Sequence, residues 1–267
     1  MQRMDIPELS LPFLAAQQLD AFVLVLLRIS AIIVTIPVIS ESTVPVRIKA
    51  ALSIIVSIII FPLVIDQMPP TGKYQFLELI FLMIGEVMIG ISIGFLARLI
   101  FAAIQLAGDV IGYQMGFAIA NVIDPMSYTQ VSIITELQYL IAMLLFLTVN
   151  AHHIFFQAII QSYVLITPLS FHLSGAMMQL LFDVSRDMFV VALKISAPIM
   201  AVMIFTNVAL GVVARTVPQM NIFIVGFPLQ ISLGLIFLGI TAPLFVRLTQ
   251  SIFGGLEGRI AVLMRLM

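Results

Sequence analysis

Long apolar stretches alternate with short polar segments along the whole of this 267-residue chain. The polar segments are rich in proline, glycine and charged residues, as turns are, and the apolar stretches approach or exceed the roughly 20 residues that a membrane-spanning helix needs. The pattern predicts an all-α membrane protein with about six hydrophobic helices as broken helical hairpins, in one membrane-embedded domain over residues 1–267. This estimate of about six helices comes from seven apolar segments of unequal length, with the chain reversing at residues 150–153. The segments are residues 11–39, 50–65, 74–107, 133–149, 154–166, 176–214 and 222–246.

Composition supports this interpretation, since 62% of the residues are hydrophobic and only 9% are charged. A typical soluble domain carries about 25% charged residues. The formal net charge of −1 gives no electrostatic reason to expect nucleic acid as a partner. Because the chain has no cysteine, it forms no disulfide and has no thiol for catalysis.

Glycines recur every four residues in one stretch, at Gly108, Gly112 and Gly116. On a helix, this spacing places a stripe without side chains on one face, and such a stripe allows helices to approach closely in lipid. Glycine is also a poor helix former, so the stretch equally fits irregular backbone at membrane depth. Irregular backbone is tolerated there only when it is buried in protein or lines a cavity. Both interpretations stay open, a packed helix end and a loop that points Tyr113, Met115 and Phe117 into a cavity.

Charged residues within the apolar segments indicate surroundings other than lipid. Each costs about 2.5–3.5 kcal/mol at the centre of a membrane helix, so it normally faces protein or water. A solute-coupled or proton-coupled carrier with buried ion pairs would show this pattern, and so would a subunit whose helices pack against other chains. The 15 glycines and 13 prolines favour the subunit slightly. The residues concerned are Glu86, Arg98, Asp109, Lys194 and Arg215.

A serine hydrolase or intramembrane protease is a third class that the sequence permits. Residues 90–94 match the G-x-S-x-G pattern around Ser92. That pattern requires a strand–turn–helix context, whereas this copy lies inside a long apolar run, so Gly90 and Gly94 are better interpreted as a small-residue packing pair. His152 and His153 are adjacent and would point about 100° apart on a helix, so they cannot share a metal as an i, i+4 pair does. We predict no catalytic, cofactor-binding or metal-binding residue.

Two stretches resemble a known family. Residues 105–117 read QLAGDVIGYQMGF and lead to Asp124 and Pro125, and residues 214–229 read ARTVPQMNIFIVGFPL. Both stretches resemble the FliR family of flagellar export-gate subunits, and the resemblance extends along the chain in length and segment order. The injectisome counterpart, SctT, shares part of the second stretch. Residues 225–228, VGFP, resemble the flagellar members more than the injectisome members.

The resemblance implies a non-enzymatic subunit of the type III protein export gate, in the bacterial inner membrane at the flagellar basal body. Such a subunit forms a pore with FliP and FliQ, with FlhB at the entrance, and the pore passes unfolded flagellar proteins. It implies that residues 1–175 are FliP-like in topology and that residues 176–267 form a FliQ-like helical hairpin and tail. An injectisome export gate and, less favoured, a multi-pass secondary transporter remain alternatives.

The resemblance also implies two groups of site residues. The loop between residues 108 and 125 would plug the closed pore, and the charged residues with the hairpin turn would contact neighbouring subunits. The expected plug residues are Gly108, Asp109, Gly112, Tyr113, Met115, Gly116, Phe117, Asp124 and Pro125. The expected interface residues are Glu86, Arg98, Lys194, Arg215, Pro218, Gln219 and Asn221.

Overall fold

The structure, a computed structural model, describes residues 16–65, 76–117, 132–166, 171–217, 219 and 221–267. Every element within these ranges is a helix, which confirms the predicted all-α class. The helices are α1 Ala16–Thr35, α2 Pro37–Ser40, α3 Val46–Val64, α4 Phe76–Gln114, α5 Ile133–Thr148, α6 Ala151–Leu165, α7 Gly175–Thr216, α8 Ile222–Gly254 and α9 Leu256–Leu266.

Helix boundaries follow local chemistry. Pro37 opens α2 and Pro45 immediately precedes α3, positions at which the missing N–H of proline costs no helical hydrogen bond. Ser174 caps α7, because its hydroxyl accepts a hydrogen bond of 3.1 Å from the Met177 N–H. The same hydroxyl donates to the Leu266 carbonyl at 2.7 Å and so connects the start of α7 to the end of α9.

The described residues do not confirm the predicted number of hydrophobic helices as membrane spans. Within the described ranges, four helical segments are long and apolar enough to cross a membrane, namely α3, α4, α7, and α8 with α9. The pair α5 and α6 adds a fifth if it counts as one broken span. The predicted six spans are therefore not confirmed.

The predicted chain reversal at residues 150–153 is wrong. The axis bends by 60° between α5 and α6 and does not fold back. Asn150 lies at the break with φ 56°, in the left-handed region that asparagine tolerates better than most residues. The break has the polar composition of a full turn, and this explains why the sequence analysis placed the reversal there.

The chain divides into two compact units. Unit 1 contains the described residues of Met1–Gly94 and Gln157–Leu173, together with Met267. In unit 1, α1 packs along α3, and Gly90 and Gly94 of α4 lie against α1 at Ala31 and Thr35. This close approach confirms the predicted small-residue packing pair, and it leaves Ser92 buried in helix α4 without a strand–turn–helix context.

Unit 2 contains the described residues of Phe95–Phe156 and Ser174–Leu266. Its core includes aromatic rings from α4, α5, α6 and α8, with the ring of Phe146 5.7 Å from Phe101, 5.4 Å from Phe253 and 6.2 Å from Phe155. Helices α7 and α8 form a long hairpin that packs along its length. The division by packing does not test the predicted parts 1–175 and 176–267, which stay a prediction.

Candidate functional site

The C-terminal end of α4 is a helix that stops at a glycine, not a loop over its whole length. Gly108 and Gly112 lie inside α4, which continues to Gln114, so the irregular-backbone interpretation is wrong for these two glycines. The Phe117 N–H donates to the Gly112 carbonyl and the Gly116 N–H donates to the Tyr113 carbonyl, both at 3.1 Å. Together with φ +86° at Gly116, this is a Schellman cap, a conformation that strongly favours glycine.

The two helical glycines let α4 approach the start of α5. A Cβ atom placed on Gly108 would lie 2.6 Å from the Thr135 Cα, and one on Gly112 would overlap the Ser132 side chain. Between them, the Asp109 carboxylate accepts a hydrogen bond of 2.7 Å from the Thr135 hydroxyl. The packed-helix interpretation of the glycine stripe is therefore confirmed up to Gln114, and Asp109 fastens α4 to α5.

Met115 follows the last helical residue and is fully buried. Its side chain occupies the space that a side chain at Gly234 of α8 would need. Met115 belongs to an apolar cluster whose other buried residues come from α4, α5 and α7. Phe117, Leu233 and Phe237 are partly buried and pack against this cluster. The buried residues of the cluster are Ile111, Met115, Ile134, Ile199 and Met203.

The two stretches that carry the family resemblance meet at this point. A Cβ on Gly116 would lie 3.2 Å from the Phe227 ring and 3.3 Å from the Gln230 amide oxygen. The Gln230 amide nitrogen in turn donates to the Asn207 side-chain oxygen at 2.6 Å and joins α8 to α7. The glycine cap thus lies against the α7–α8 hairpin. The remaining predicted plug residues, Asp124 and Pro125, lie outside the described residues.

Arg28 forms a second polar site, within unit 1, and is fully buried. Its Nε and Nη2 donate to both carboxylate oxygens of Glu86, the Nη2 bond measuring 2.9 Å. Its Nη1 donates to the Ser162 carbonyl at 3.0 Å and to the Ile166 carbonyl at 3.3 Å. The guanidinium carbon also lies 4.2 Å from the centre of the Tyr163 ring. Arg28 therefore connects α1 to α4 and satisfies carbonyls at the C-terminal end of α6.

The predicted interface residues are scattered. Glu86 is buried and pairs with Arg28 within the chain, so its predicted contact with another subunit stays untested. Lys194 and Arg215 are exposed on α7, and no acidic side chain pairs with either within the described ranges. The other predicted residues that the structure describes are Arg98, Gln219 and Asn221, all exposed, and Pro218 lies outside the described residues.

Sequence reasoning missed two residues that matter here. Arg28 interrupts an apolar segment, and that feature could have placed it with the other membrane-depth charges. Gly234 carries no comparable signal, because its importance depends on Met115, which is distant in sequence. Both residues act by packing and hydrogen bonding. Within the described part of the chain, no group of three or more histidine and acidic side chains is placed to hold a metal ion.

The fold and the two sites define a class, a helical membrane protein with long apolar helices and a glycine-capped helix end packed on a hairpin. The chain belongs to the bacterial export proteins, family 1, whose model matches residues 19–256, and is related to the flagellar biosynthetic protein FliR. FliR of Bacillus subtilis strain 168 is 35% identical over 87% of this chain and 90% of its own length.

More distant relatives bear the same name. FliR of Escherichia coli strain K12 is 30% identical over 85% of this chain and 86% of its own length. FliR of Aquifex aeolicus strain VF5 is 28% identical over 84% of this chain and 85% of its own length. The predicted FliR family is therefore confirmed over nearly the whole chain.

Proposed function

We propose that this chain is a non-enzymatic subunit of the flagellar type III protein export gate in the bacterial inner membrane. It forms a pore with FliP and FliQ, with FlhB at the entrance, through which unfolded flagellar proteins pass. Membership of the family supports the proposal, as do the three relatives described above, each named a flagellar biosynthetic protein. The flagellar setting is accordingly preferred to the injectisome setting.

We assign the plug to residues 108–125, and the single observation that supports this most is how α4 ends. The helix stops at a glycine cap, and the residues around the cap are held by apolar contacts with the α7–α8 hairpin. Methionine and phenylalanine side chains seal without a unique fit, and they separate without breaking a polar bond. A segment that closes a pore and moves aside when a substrate passes needs contacts of this kind.

The exposed faces of α7 and α8 support partner subunits. Large apolar side chains are exposed along both helices, including Phe205 at 76% and Ile240 at 65%. Lys194 and Arg215 are the cations that we expect to pair with acidic groups of a neighbouring subunit, while Arg98, Gln219 and Asn221 would contribute polar contacts. In this proposal residues 176–267 act as the FliQ-like hairpin and residues 1–175 as the FliP-like part.

Deleting residues 112–120 tests the plug. The deletion removes the glycine cap and the cluster residue Met115, so the closed gate should leak ions. The measurement is membrane permeability to a small ion or dye in growing cells, compared with wild type at equal amounts of assembled gate. Copurification of FliP and FliQ with the deleted chain is the control for assembly. Wild-type permeability in an assembled gate would contradict the plug role.

A further inference from the structure

We propose that Met115 and Gly234 form a latch that positions the end of α4 against α8 while the gate is closed. The inference rests on the proposed plug function and adds the contact that has to open. Met115 is the part that moves, and Gly234 is the notch that receives it. Substrate passage then requires Met115 to leave the notch.

The Met115 side chain lies in close contact with Gly234. A Cβ atom at Gly234 would lie 2.5 Å from Met115 Cγ, 2.5 Å from Cε and 2.7 Å from Sδ. Three atoms of one side chain therefore use the space that the glycine leaves free, and any larger residue at 234 displaces them. A Cβ atom placed on Gly239, five positions further along α8, would have no neighbouring atom within 4 Å. The notch is thus a property of Gly234 and not of glycines along α8 in general.

The contacts around Met115 are of a kind that can open and close. The neighbouring buried residues are aliphatic or methionine, so separation breaks only dispersion contacts, which are individually weak. One turn and a half earlier, Asp109 is hydrogen-bonded to Thr135 and Gly108 is in backbone contact with α5. The helix is therefore fixed at Asp109, and its detachable end begins near Met115.

Reversible cross-linking tests the latch. The chain has no cysteine, so a Met115→Cys/Gly234→Cys variant introduces the only two thiols. Oxidation, or a short bis-methanethiosulfonate reagent, should join the two positions in the assembled gate. We expect loss of secretion of a flagellar substrate into the medium, and recovery after a reductant is added. Each single-cysteine variant, treated in the same way, should keep secreting.

A second cysteine pair is the matched control. Asp187→Cys/Arg259→Cys, treated with the same bis-methanethiosulfonate reagent, joins α7 to α9 where the native side chains are 3.0 Å apart, and it leaves the end of α4 free. Cross-linking this pair should leave secretion unchanged. If the 115–234 cross-link forms and secretion continues, the segment does not need to leave and the latch is wrong. If no cross-link forms between positions 115 and 234 in the assembled gate while the 187–259 pair reacts, the contact does not exist there.

Substitution without any cross-link separates the latch from the plug. Gly234→Ala should push Met115 out of the notch and raise ion leakage through the closed gate, whereas Gly239→Ala should leave leakage at the wild-type level. Leakage after deletion of residues 112–120 but not after Gly234→Ala would keep the plug and reject the latch. Absence of leakage in both variants, with the gate assembled, would reject the plug itself.

Discussion

Glycines of this chain have two different roles at the residue scale. Gly108 is buried against the backbone of α5, where an added Cβ would lie 2.6 Å from the Thr135 Cα. Gly211 lies inside α7, where an added Cβ would have no neighbouring atom within 4 Å. A methyl group at Gly108 must push two backbones apart. At Gly211 it meets open space and gains helix propensity. Burial and contact therefore decide the effect of the same substitution.

We predict opposite effects for two alanine substitutions. Gly108→Ala should destabilise the folded chain by about 1–3 kcal/mol, the usual cost of overpacking. Gly211→Ala should stabilise it by up to about 1 kcal/mol, because alanine favours the helix over glycine. The measurement is the fraction of the chain, copurified with FliP and FliQ in detergent, that remains monodisperse after heating. Equal behaviour of the two variants would show that α4 and α5 do not pack as described.

Sequence reasoning succeeded partly at this scale. The four-residue spacing of Gly108 and Gly112 predicted a bare helix stripe, and both glycines pack against α5. The spacing could not decide whether α4 continued, because glycine weakens a helix without excluding one. The close contacts of these glycines are with Thr135 of α5 and with Ser132, which immediately precedes α5, and the local pattern includes neither residue. Met115 was identified as a candidate, but its partner Gly234 was not, since a notch depends on the residue opposite.

At the scale of elements, Arg28 holds three helices of unit 1 together. It contacts Glu86 of α4 and the C-terminal end of α6 from its position in α1. Removing one partner of a buried ion pair leaves an uncompensated charge, whereas replacing both partners by apolar residues is often nearly neutral. The stability of unit 1 therefore depends on whether Arg28 and Glu86 are both present or both replaced, more than on either residue alone.

Three variants test this pair. Glu86→Ala alone should lower the stability of the folded chain by about 3–5 kcal/mol, and the Arg28→Met/Glu86→Leu variant should recover most of the loss. Arg186→Ala is the control. The Arg186 side chain is 72% exposed and pairs with Asp183 at the surface, and such a pair contributes about 0–1 kcal/mol. The readout is the thermal stability, in detergent, of each variant copurified with FliP and FliQ. A double variant no better than Glu86→Ala would contradict the pairing.

Helix positions were predictable at this scale, but one connection was not. Apolar runs located α3, α5, α6 and α7 to within four residues of their observed limits, because long hydrophobic segments have few alternatives in a membrane. Helices α4 and α8 end seven and eight residues beyond the predicted segments. The break at Asn150 bends the axis by 60° instead of reversing it. Both outcomes use the same polar residues, and packing of α5 and α6 against other helices selects between them.

At the scale of the whole molecule, exposed apolar surface is the dominant property. Side chains such as Phe81, Phe182 and Phe205 are each about 70% exposed or more. Exposed apolar surface of this kind faces either lipid or another protein chain. The family relationship supplies the distinction under the proposed function. The alternative of a self-sufficient transporter differs in one measurable respect, namely whether the chain is stable alone.

We predict that the chain depends on its partners. A tagged chain should retain FliP and FliQ through detergent extraction and size-exclusion chromatography, and should aggregate or be degraded when produced without them. Quantifying the tagged chain and both partners in the eluted peak tests this directly. Recovery of a monodisperse chain with bound small solute, and with neither partner, would favour the transporter.

The length of α7 has a consequence for how the molecule sits in its surroundings. The helix has 42 residues and is therefore about 63 Å long, twice the thickness of the hydrocarbon layer. Residues 195–214 carry no charge and suffice to traverse that layer. When residues 195–214 span that layer, residues 175–194 of the same helix lie outside it. Phe182, Phe189 and Leu193, each more than half exposed, lie there on a single face. Apolar side chains are unfavourable in water. This face of α7 therefore requires cover by another polypeptide chain.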